Sequence, residues 1–178
     1  SFYSEKEFCI FEKLLKKNDI VIDVGCGYGR DIPLFLGIGR KLRYEGLDSS
    51  VSFLKIARSR YPQFRFYPSN ILEAKTLPRK KYVGFWAAAT VQHIPEKDWP
   101  LMLKNIEKII EPGGYGYISV PEDRPNQASD ADSRYFEVFD KNKFRKLIAP
   151  HGWRIIRSGI LPATRGTTIW RWYIVRLP

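Results

Sequence analysis

The chain has 178 residues, 44% of them hydrophobic and 15% aromatic, which is enough apolar surface to close the core of one domain over residues 1–178. Thirty Lys and Arg against 19 Asp and Glu give a net charge of +11, unusual for an enzyme of small neutral metabolites. The excess charge indicates either solvated faces or contact with phosphates or an acidic surface. Two cysteines are too few for a disulfide framework or a zinc site, and they favour a reducing compartment, the cytoplasm.

The longest apolar run, Val83 to Val91, is too short for a membrane span, so we expect none. The chain opens at Ser1 with neither an initiator Met nor the residue order of a signal peptide, and the sequence does not tell whether residues precede Ser1.

Apolar periodicity predicts helices that alternate with strands through the first two thirds of the chain. The predicted helices cover residues 5–17, 31–38, 51–61 and 96–110, and the predicted strands cover 20–24, 42–47, 64–67, 82–89 and 115–120. Pro112-Gly113-Gly114 is expected to end the fourth helix. Strands that alternate with helices favour a parallel sheet with right-handed crossovers.

After Val120 the pattern changes. Residues 121–134 are polar and read as a loop, and a helix over 141–149 and strands over 153–160 and 168–177 follow. The segment between these two strands is too short for a crossover helix, so they are expected to form an antiparallel hairpin. Trp170 and Trp172 alternate with Arg171 and Tyr173, which predicts a half-buried strand and a packing role for the tryptophans.

The first strand ends in a glycine-rich turn, Asp23-Val24-Gly25-Cys26-Gly27-Tyr28-Gly29. Closely spaced glycines between a strand and a helix let a ligand approach the backbone, as in nucleotide pockets. A dinucleotide fingerprint requires G-x-G-x-x-G, and Arg30 stands where its third glycine belongs. The alternative is an ordinary tight turn without a ligand.

An acidic residue, Asp48, ends the second predicted strand and is followed by Ser49. Adjacent parallel strands end side by side, so Asp48 can accept hydrogen bonds from both hydroxyls of a ribose that lies over the glycine turn. Asp48 could equally cap the helix that begins near Ser50.

With these two features, the chain resembles the Rossmann-like (class I) S-adenosylmethionine-dependent methyltransferases over about residues 8 to 177. It is most similar to the broad group of quinone-biosynthesis and other small-molecule methyltransferases. The resemblance implies an α/β fold of three layers, in which a seven-stranded, mostly parallel sheet ends in a C-terminal antiparallel hairpin. It also implies S-adenosylmethionine as the cofactor.

The resemblance further implies cofactor contacts in four segments. The methionine part of the cofactor would contact the glycine turn, the ribose would contact the end of the second strand, and the adenine would contact the residues after the third strand. The end of the fourth strand would run under the cofactor. The implied residues, in that order, are Asp23, Gly25, Cys26, Gly27 and Gly29; Asp48 and Ser49; Asn70 and Ile71; and Ala88 and Ala89.

This chain departs from the family pattern at two positions. Asn70 replaces the usual Asp, although its carbonyl oxygen can accept the same hydrogen bond. Val83 stands where the family often has an Asp at the start of the fourth strand.

His93, after the fourth strand, is the candidate general base, and the alternative is a His packed at a helix start. Methyl transfer from an activated sulfonium can also proceed by positioning the acceptor, without a protein base. Arg134 and Tyr135 are expected to line the acceptor pocket or, equally, to lead into a strand. The sequence shows no metal-ligand cluster, so metal-assisted transfer is not expected.

We therefore expect an enzyme that transfers a methyl group to an oxygen, nitrogen or carbon of a small-molecule acceptor, which the net charge suggests is anionic. One alternative is an RNA methyltransferase acting on tRNA, since the net charge also suits a nucleic acid. The other is an inactive cofactor-binding partner subunit, which the departures at Asn70 and Val83 leave open. The sequence predicts neither the methylated atom nor the oligomeric state.

Overall fold

A computed structural model describes residues 5–38, 41–122, 136–161 and 169–178. Its strands form one sheet in the order β3-β2-β1-β4-β5-β7-β6. The strands are β1 Ile20–Val24, β2 Arg43–Asp48, β3 Arg65–Pro68, β4 Tyr82–Ala88, β5 Ile110–Pro121, β6 Arg154–Leu161 and β7 Trp170–Arg176. The helices are α1 Glu5–Glu12, α2 Ile32–Gly37, α3 Val51–Arg60, α4 Trp99–Ile109 and α5 Lys141–Ile148.

The sheet is mixed and mostly parallel, which confirms the predicted fold class. Strands β3, β2, β1, β4 and β5 pair in parallel, whereas β7 pairs antiparallel with both β5 and β6. The chain order reverses between β1 and β4, and in open α/β sheets the crevice at such a point, outside the carboxyl ends of the strands, is where ligands bind.

Two apolar clusters pack on the sheet. One contains residues of α4 and α5, and the other contains residues of α1, α2 and α3. The β4 residues Phe85, Trp86 and Ala87 are fully buried, as expected for a parallel strand covered on both faces. In α4 the apolar stripe that predicted the helix is fully buried at Trp99, Met102, Leu103 and Ile106.

The structure corrects several predicted boundaries. The first helix ends at Glu12, because the Leu14 and Leu15 amides bond to carbonyls three residues back and continue the chain as a turn. The fourth helix begins with a short 3-10 turn, Glu96–Asp98. Strand β5 begins at Ile110, well before Tyr115, because Ile110 pairs with Tyr82 before the register shifts.

The expectation of a half-buried final strand was wrong. Residues Trp172 to Val175 of β7 are all buried, because β7 lies between β5 and β6. Strand β6 is the edge strand instead, and most of its residues are exposed. In the described part of the chain, no helix combines the length and the apolar character needed to span a membrane.

Candidate functional site

A cavity of about 550 Å³ lies at the carboxyl ends of β1, β2, β3 and β4. Five short segments at and after the ends of these strands form its wall, one each at β1, β2 and β3 and two at β4. They are Asp23 to Tyr28 with Arg30 and Asp31, Leu47 to Ser50 with Phe53, Ser69 to Leu72, Ala88 to Thr90, and His93 to Pro95. The sequence-predicted cofactor residues therefore converge on one cavity, with the exception of Gly29.

The glycine turn adopts left-handed backbone conformations, with φ of 74° at Gly25, 55° at Gly27 and 83° at Gly29. A Cβ on Gly25 would lie 2.1 Å from Cγ2 of Thr90, whereas a Cβ on Gly27 would meet nothing within 4 Å. Gly29 is buried outside the cavity wall, where a Cβ would lie 2.8 Å from Cδ1 of Ile32. Gly29 therefore allows the turn to pack closely against α2, and it does not line the cavity.

Asp48 connects the glycine turn to the start of α3. Its Oδ2 accepts a hydrogen bond from the Gly27 amide at 2.8 Å, and its Oδ1 accepts one from the Ser50 amide at 2.8 Å. Ser50 is the N-cap of α3, and its own Oγ accepts from the Phe53 amide. The helix-capping alternative for Asp48 was therefore wrong, and the carboxylate keeps lone pairs for further donors.

The segment after β3 is fixed by its own hydrogen bonds. Asn70 Oδ1 accepts from the Leu72 amide at 3.0 Å, and its Nδ2 lies 3.2 Å from Glu73 Oε1. The Ile71 carbonyl accepts from Nδ2 of Asn105 in α4 at 2.8 Å. Asn105 is fully buried, and the only sequence signal for this role is a polar residue within the apolar stripe of α4.

The residues after β4 are held from three sides. Ala88 O accepts from Arg30 Nη2 at 3.0 Å, the Ala89 amide donates to Ser119 Oγ at 3.0 Å, and Thr90 Oγ1 donates to the Gly25 carbonyl at 3.2 Å. Ala89 has a positive φ of 49°, which costs a non-glycine residue about 1–2 kcal/mol. These contacts hold Ala88 and Ala89 in the cavity wall.

His93 also lines the cavity. Its ring contacts Phe136 edge-on at 6.0 Å between centroids, and its Nε2 lies 3.4 Å from Nε2 of Gln92. Gln92 is buried, and its side-chain amide also donates to Ala89 O at 2.7 Å; its place beside the cavity was not predicted from the sequence. Arg134 and Tyr135, the predicted acceptor-pocket residues, lie outside the described residues.

Acidic side chains dominate the charge of the cavity wall. Asp23 accepts from the Tyr44 hydroxyl at 2.9 Å, and Asp31 accepts from Arg30 at 2.9 and 3.0 Å and from Trp86 Nε1 at 3.0 Å. Burial, reinforced by the nearby Asp31 charge, raises the pKa of Asp23 well above its usual value. With Asp48, the wall carries three acidic side chains and one guanidinium, that of Arg30, so acidic groups are in excess there although the chain as a whole is basic.

Burial likewise raises the pKa of the Cys26 thiol, and the charges of Asp23 and Asp48 raise it further. Cys26 is therefore a neutral thiol in the cavity wall and has no thiolate character. Within the described residues, no group of three or more His, Cys, Asp or Glu side chains could hold a metal ion.

Comparison with known proteins identifies the family of the domain. Residues 21–114 match the family described as a methyltransferase domain. A trans-aconitate 2-methyltransferase of Sinorhizobium medicae is 30% identical over 100 residues, which make up 56% of this chain and 37% of that protein. The chain spans between 37% and 59% of the length of the curated relatives that it matches.

Solved structures share the fold at low sequence identity. An S-adenosylmethionine-dependent methyltransferase from Methanosarcina mazei superposes with a TM-score of 0.78 at 14% identity, covering 94% of this chain and 96% of that one. Magnesium protoporphyrin IX methyltransferase from Synechocystis, solved with bound S-adenosylmethionine, gives 0.74 at 17% identity, covering 98% and 78%. Since the family match covers more than half of the chain, including the glycine turn, Asp48 and β4, the chain belongs to the methyltransferase domain family.

Proposed function

We propose that this chain binds S-adenosylmethionine in the cavity at the carboxyl ends of its strands and transfers the methyl group to a small molecule. The observation that carries this proposal is the Asp48 carboxylate, held by the Gly27 and Ser50 amides at the cavity wall. A carboxylate with lone pairs left over suits a ribose diol, and the glycine turn beside it leaves room for a ligand against the backbone.

The charge of the cavity fits this cofactor. S-adenosylmethionine carries a positive sulfonium, a positive ammonium group and one carboxylate, a net positive charge, and the wall carries the acidic side chains of Asp23, Asp31 and Asp48 against the one guanidinium of Arg30. A cationic ligand is attracted to such a wall, and the attraction strengthens where water is partly excluded. We assign the methionine part to Asp23, Gly25, Cys26 and Gly27, with Gly29 shaping the turn from outside the cavity.

The remaining contacts follow the same order along the sheet. Asp48 and Ser49 would hold the ribose, and Ala88 and Ala89 would lie under the cofactor. Asn70 and Ile71 would meet the adenine. Because Asn70 Oδ1 already accepts from the Leu72 amide, only its second lone pair is available for the adenine amino group.

When bound, the cofactor supplies an activated methyl group, so the chain mainly has to orient the acceptor in line with it. His93 is the candidate base for an acceptor that must lose a proton, because it lines the same cavity. The acceptor named for the Sinorhizobium medicae relative is the small molecule trans-aconitate, which supports a small acceptor here. We propose Arg134 and Tyr135 as acceptor contacts.

We also propose the cytoplasm as the compartment, because Cys9 and Cys26 are both free thiols, as is usual in a reducing environment.

Calorimetry with S-adenosylmethionine and S-adenosylhomocysteine tests cofactor binding. Asp48→Ala should weaken binding by about 1–3 kcal/mol, roughly 5- to 150-fold, because charged hydrogen bonds to the ribose are lost. Asp19→Ala is the matched control, since it removes the same charge before β1, where Asp19 bonds to the Lys16 amide. Heat with a nicotinamide nucleotide and none with either sulfur ligand would contradict the proposal.

Transfer of a labelled methyl group tests the acceptor. We expect label in a metabolite extract and none in bulk tRNA incubated under the same conditions. Label in tRNA would instead support the RNA methyltransferase alternative, and cofactor binding without transfer to either pool would support an inactive partner subunit.

A further inference from the structure

Basic segments that are far apart in the sequence meet at the amino ends of the parallel strands. Lys16 and Lys17 precede β1, Arg43 begins β2, and Arg79 lies shortly before β4. The contacts between these segments are direct, since the Asn18 amide donates to Lys41 O at 2.7 Å and the Arg43 amide donates to Asp19 O at 2.8 Å. Three neighbouring strands therefore begin with exposed positive charge.

The segment before β4 is tied to β2 by an ion pair. Lys80 bonds to Glu45, the third residue of β2, although β1 lies between β2 and β4. Arg79, the neighbour of Lys80 in the chain, therefore lies at the same end of the sheet as the segments that precede β1 and β2.

We define the basic edge as Lys13, Lys16, Lys17, Arg43 and Arg79. All five side chains are exposed, and none of them forms an ion pair with any residue that the structure describes. The cations beside them are already engaged, Lys41 by Glu12, Lys80 by Glu45, and Lys81 by the Glu107 and Ile110 carbonyls.

The basic edge is remote from the cavity. The cavity opens at the carboxyl ends of the strands, and the five residues of β1 separate the two ends by roughly 16 Å at about 3.3 Å per residue. The cavity wall carries three carboxylates, so the two ends of the sheet have opposite charge. The basic edge is therefore a different surface from the cavity wall, and this inference stands apart from the proposed function.

We infer that the basic edge is a docking surface for the phosphate backbone of a nucleic-acid duplex. Neighbouring strands lie about 4.8 Å apart, so the charges that begin β1, β2 and β4 lie within about 10–15 Å, a span that covers several phosphates of a duplex. These charges attract phosphates without reading base sequence.

The character of the side chains favours a duplex over other polyanions. The large hydrophobic side chains that are exposed in the described ranges all lie outside residues 13–20, 41–43 and 78–81. The basic edge thus presents no aromatic side chain on which unpaired bases would stack, as single-strand sites usually do. It also presents no apolar side chain to insert into a membrane interface.

The test measures binding of the whole chain to a labelled duplex of about 20 base pairs, as RNA and as DNA, by fluorescence anisotropy across a salt range. Three to five phosphate contacts predict a log–log salt slope of about −2.7 to −4.5, a loss of about 40- to 500-fold in affinity between 50 and 200 mM salt. The double variant Lys17→Gln with Arg43→Gln should reduce the slope by about 2.

The matched control is Lys141→Gln with Lys146→Gln, which removes the same charge from two exposed positions of α5. This control should leave the slope nearly unchanged, and both double variants should keep the parent's circular dichroism and thermal midpoint. An equal loss of slope in the control would overturn the inference, because binding would then follow net charge alone. The inference would also be overturned if the chain bound a single strand of equal length, phosphatidylserine vesicles or polyglutamate ten times more tightly than the duplex.

Discussion

The two glycines at the start of the glycine turn allow a sharp test of the site's geometry. Gly25 and Gly27 both have positive φ, 74° and 55°, but their surroundings differ. A Cβ on Gly25 would lie 2.1 Å from Cγ2, 2.5 Å from Oγ1 and 2.9 Å from Cβ of Thr90, while a Cβ on Gly27 meets nothing within 4 Å. The variants Gly25→Ala and Gly27→Ala therefore share the backbone strain and differ in the steric clash.

The expected magnitudes follow from these contacts. Alanine at a left-handed position costs about 1–2 kcal/mol, which is the whole expected effect of Gly27→Ala on the free energy of unfolding. At Gly25 the displacement of Thr90 adds about 1–3 kcal/mol. Loss of the hydrogen bond from Thr90 Oγ1 to the Gly25 carbonyl adds about 0.5–1.5 kcal/mol. Gly25→Ala should therefore destabilise the ligand-free protein by about 2.5–6.5 kcal/mol.

Urea unfolding measures these contributions to the free energy of unfolding. The variants compared are Gly25→Ala, Gly27→Ala, Thr90→Ala and the double variant Gly25→Ala with Thr90→Ala. Thr90→Ala removes Cγ2 and Oγ1, which relieves the clash, and the hydrogen bond that both single variants lose is lost only once in the double variant. The double variant should therefore be less destabilised than the sum of the single variants by about 1.5–4.5 kcal/mol. The reasoning is refuted if Gly27→Ala is as destabilising as Gly25→Ala, or if the double variant shows simple additivity.

Three further predictions concern ionisable groups. Burial raises the pKa of Glu45, but hydrogen bonds from Lys80 and two tyrosine hydroxyls outweigh it, so the pKa is lowered. The stability from Glu45 is then present above its unfolded pKa and is lost as the pH falls below about 4.5. Glu45→Gln should flatten the acid limb of a plot of unfolding free energy against pH, and an unchanged limb would exclude this role. Burial and the Asp31 charge raise the pKa of Asp23, and a cationic ligand favours the carboxylate over the neutral acid. Ligand binding should therefore release a proton and tighten as the pH rises through this raised pKa. Calorimetry in two buffers of different ionisation enthalpy should show this release, and Asp23→Asn should abolish it; equal enthalpies for the parent chain would count against it. His93→Ala should lower turnover about 100-fold with little change in cofactor affinity if the ring is the base, and an unaltered turnover would remove it from the mechanism.

Most of the sheet could be predicted from the sequence because its signals are local. Apolar runs such as Ile20–Val24 mark strands that are buried on both faces, and the order of elements then leaves few topologies. The glycine turn and Asp48 could be placed together because parallel strands end at the same edge of a sheet. The placement of Asp48 beside the glycine turn depends only on the register of two neighbouring strands.

The predictions were wrong or incomplete where the environment of a residue is set by another segment that is far away in the sequence. The burial of β7 follows from its place between β5 and β6, which the hairpin pattern alone does not specify. Gly29 lies outside the cavity because α2 and Tyr61 pack against it, although its spacing matches that of its neighbours. Asn105 contacts the Ile71 carbonyl from α4, and a single polar residue in an apolar stripe does not reveal its partner.

The net charge of +11 is a sum over the whole chain and hides a difference between the two ends of the sheet. The cavity wall carries Asp23, Asp31 and Asp48, and exposed Lys and Arg side chains lie at the opposite end. At physiological salt the Debye length is about 8 Å, about half of the roughly 16 Å that β1 sets between the two ends. The basic edge should therefore repel a cationic cofactor only weakly. A strongly basic chain can thus keep an acidic cavity, so net charge alone is a poor guide to the ligand of this site.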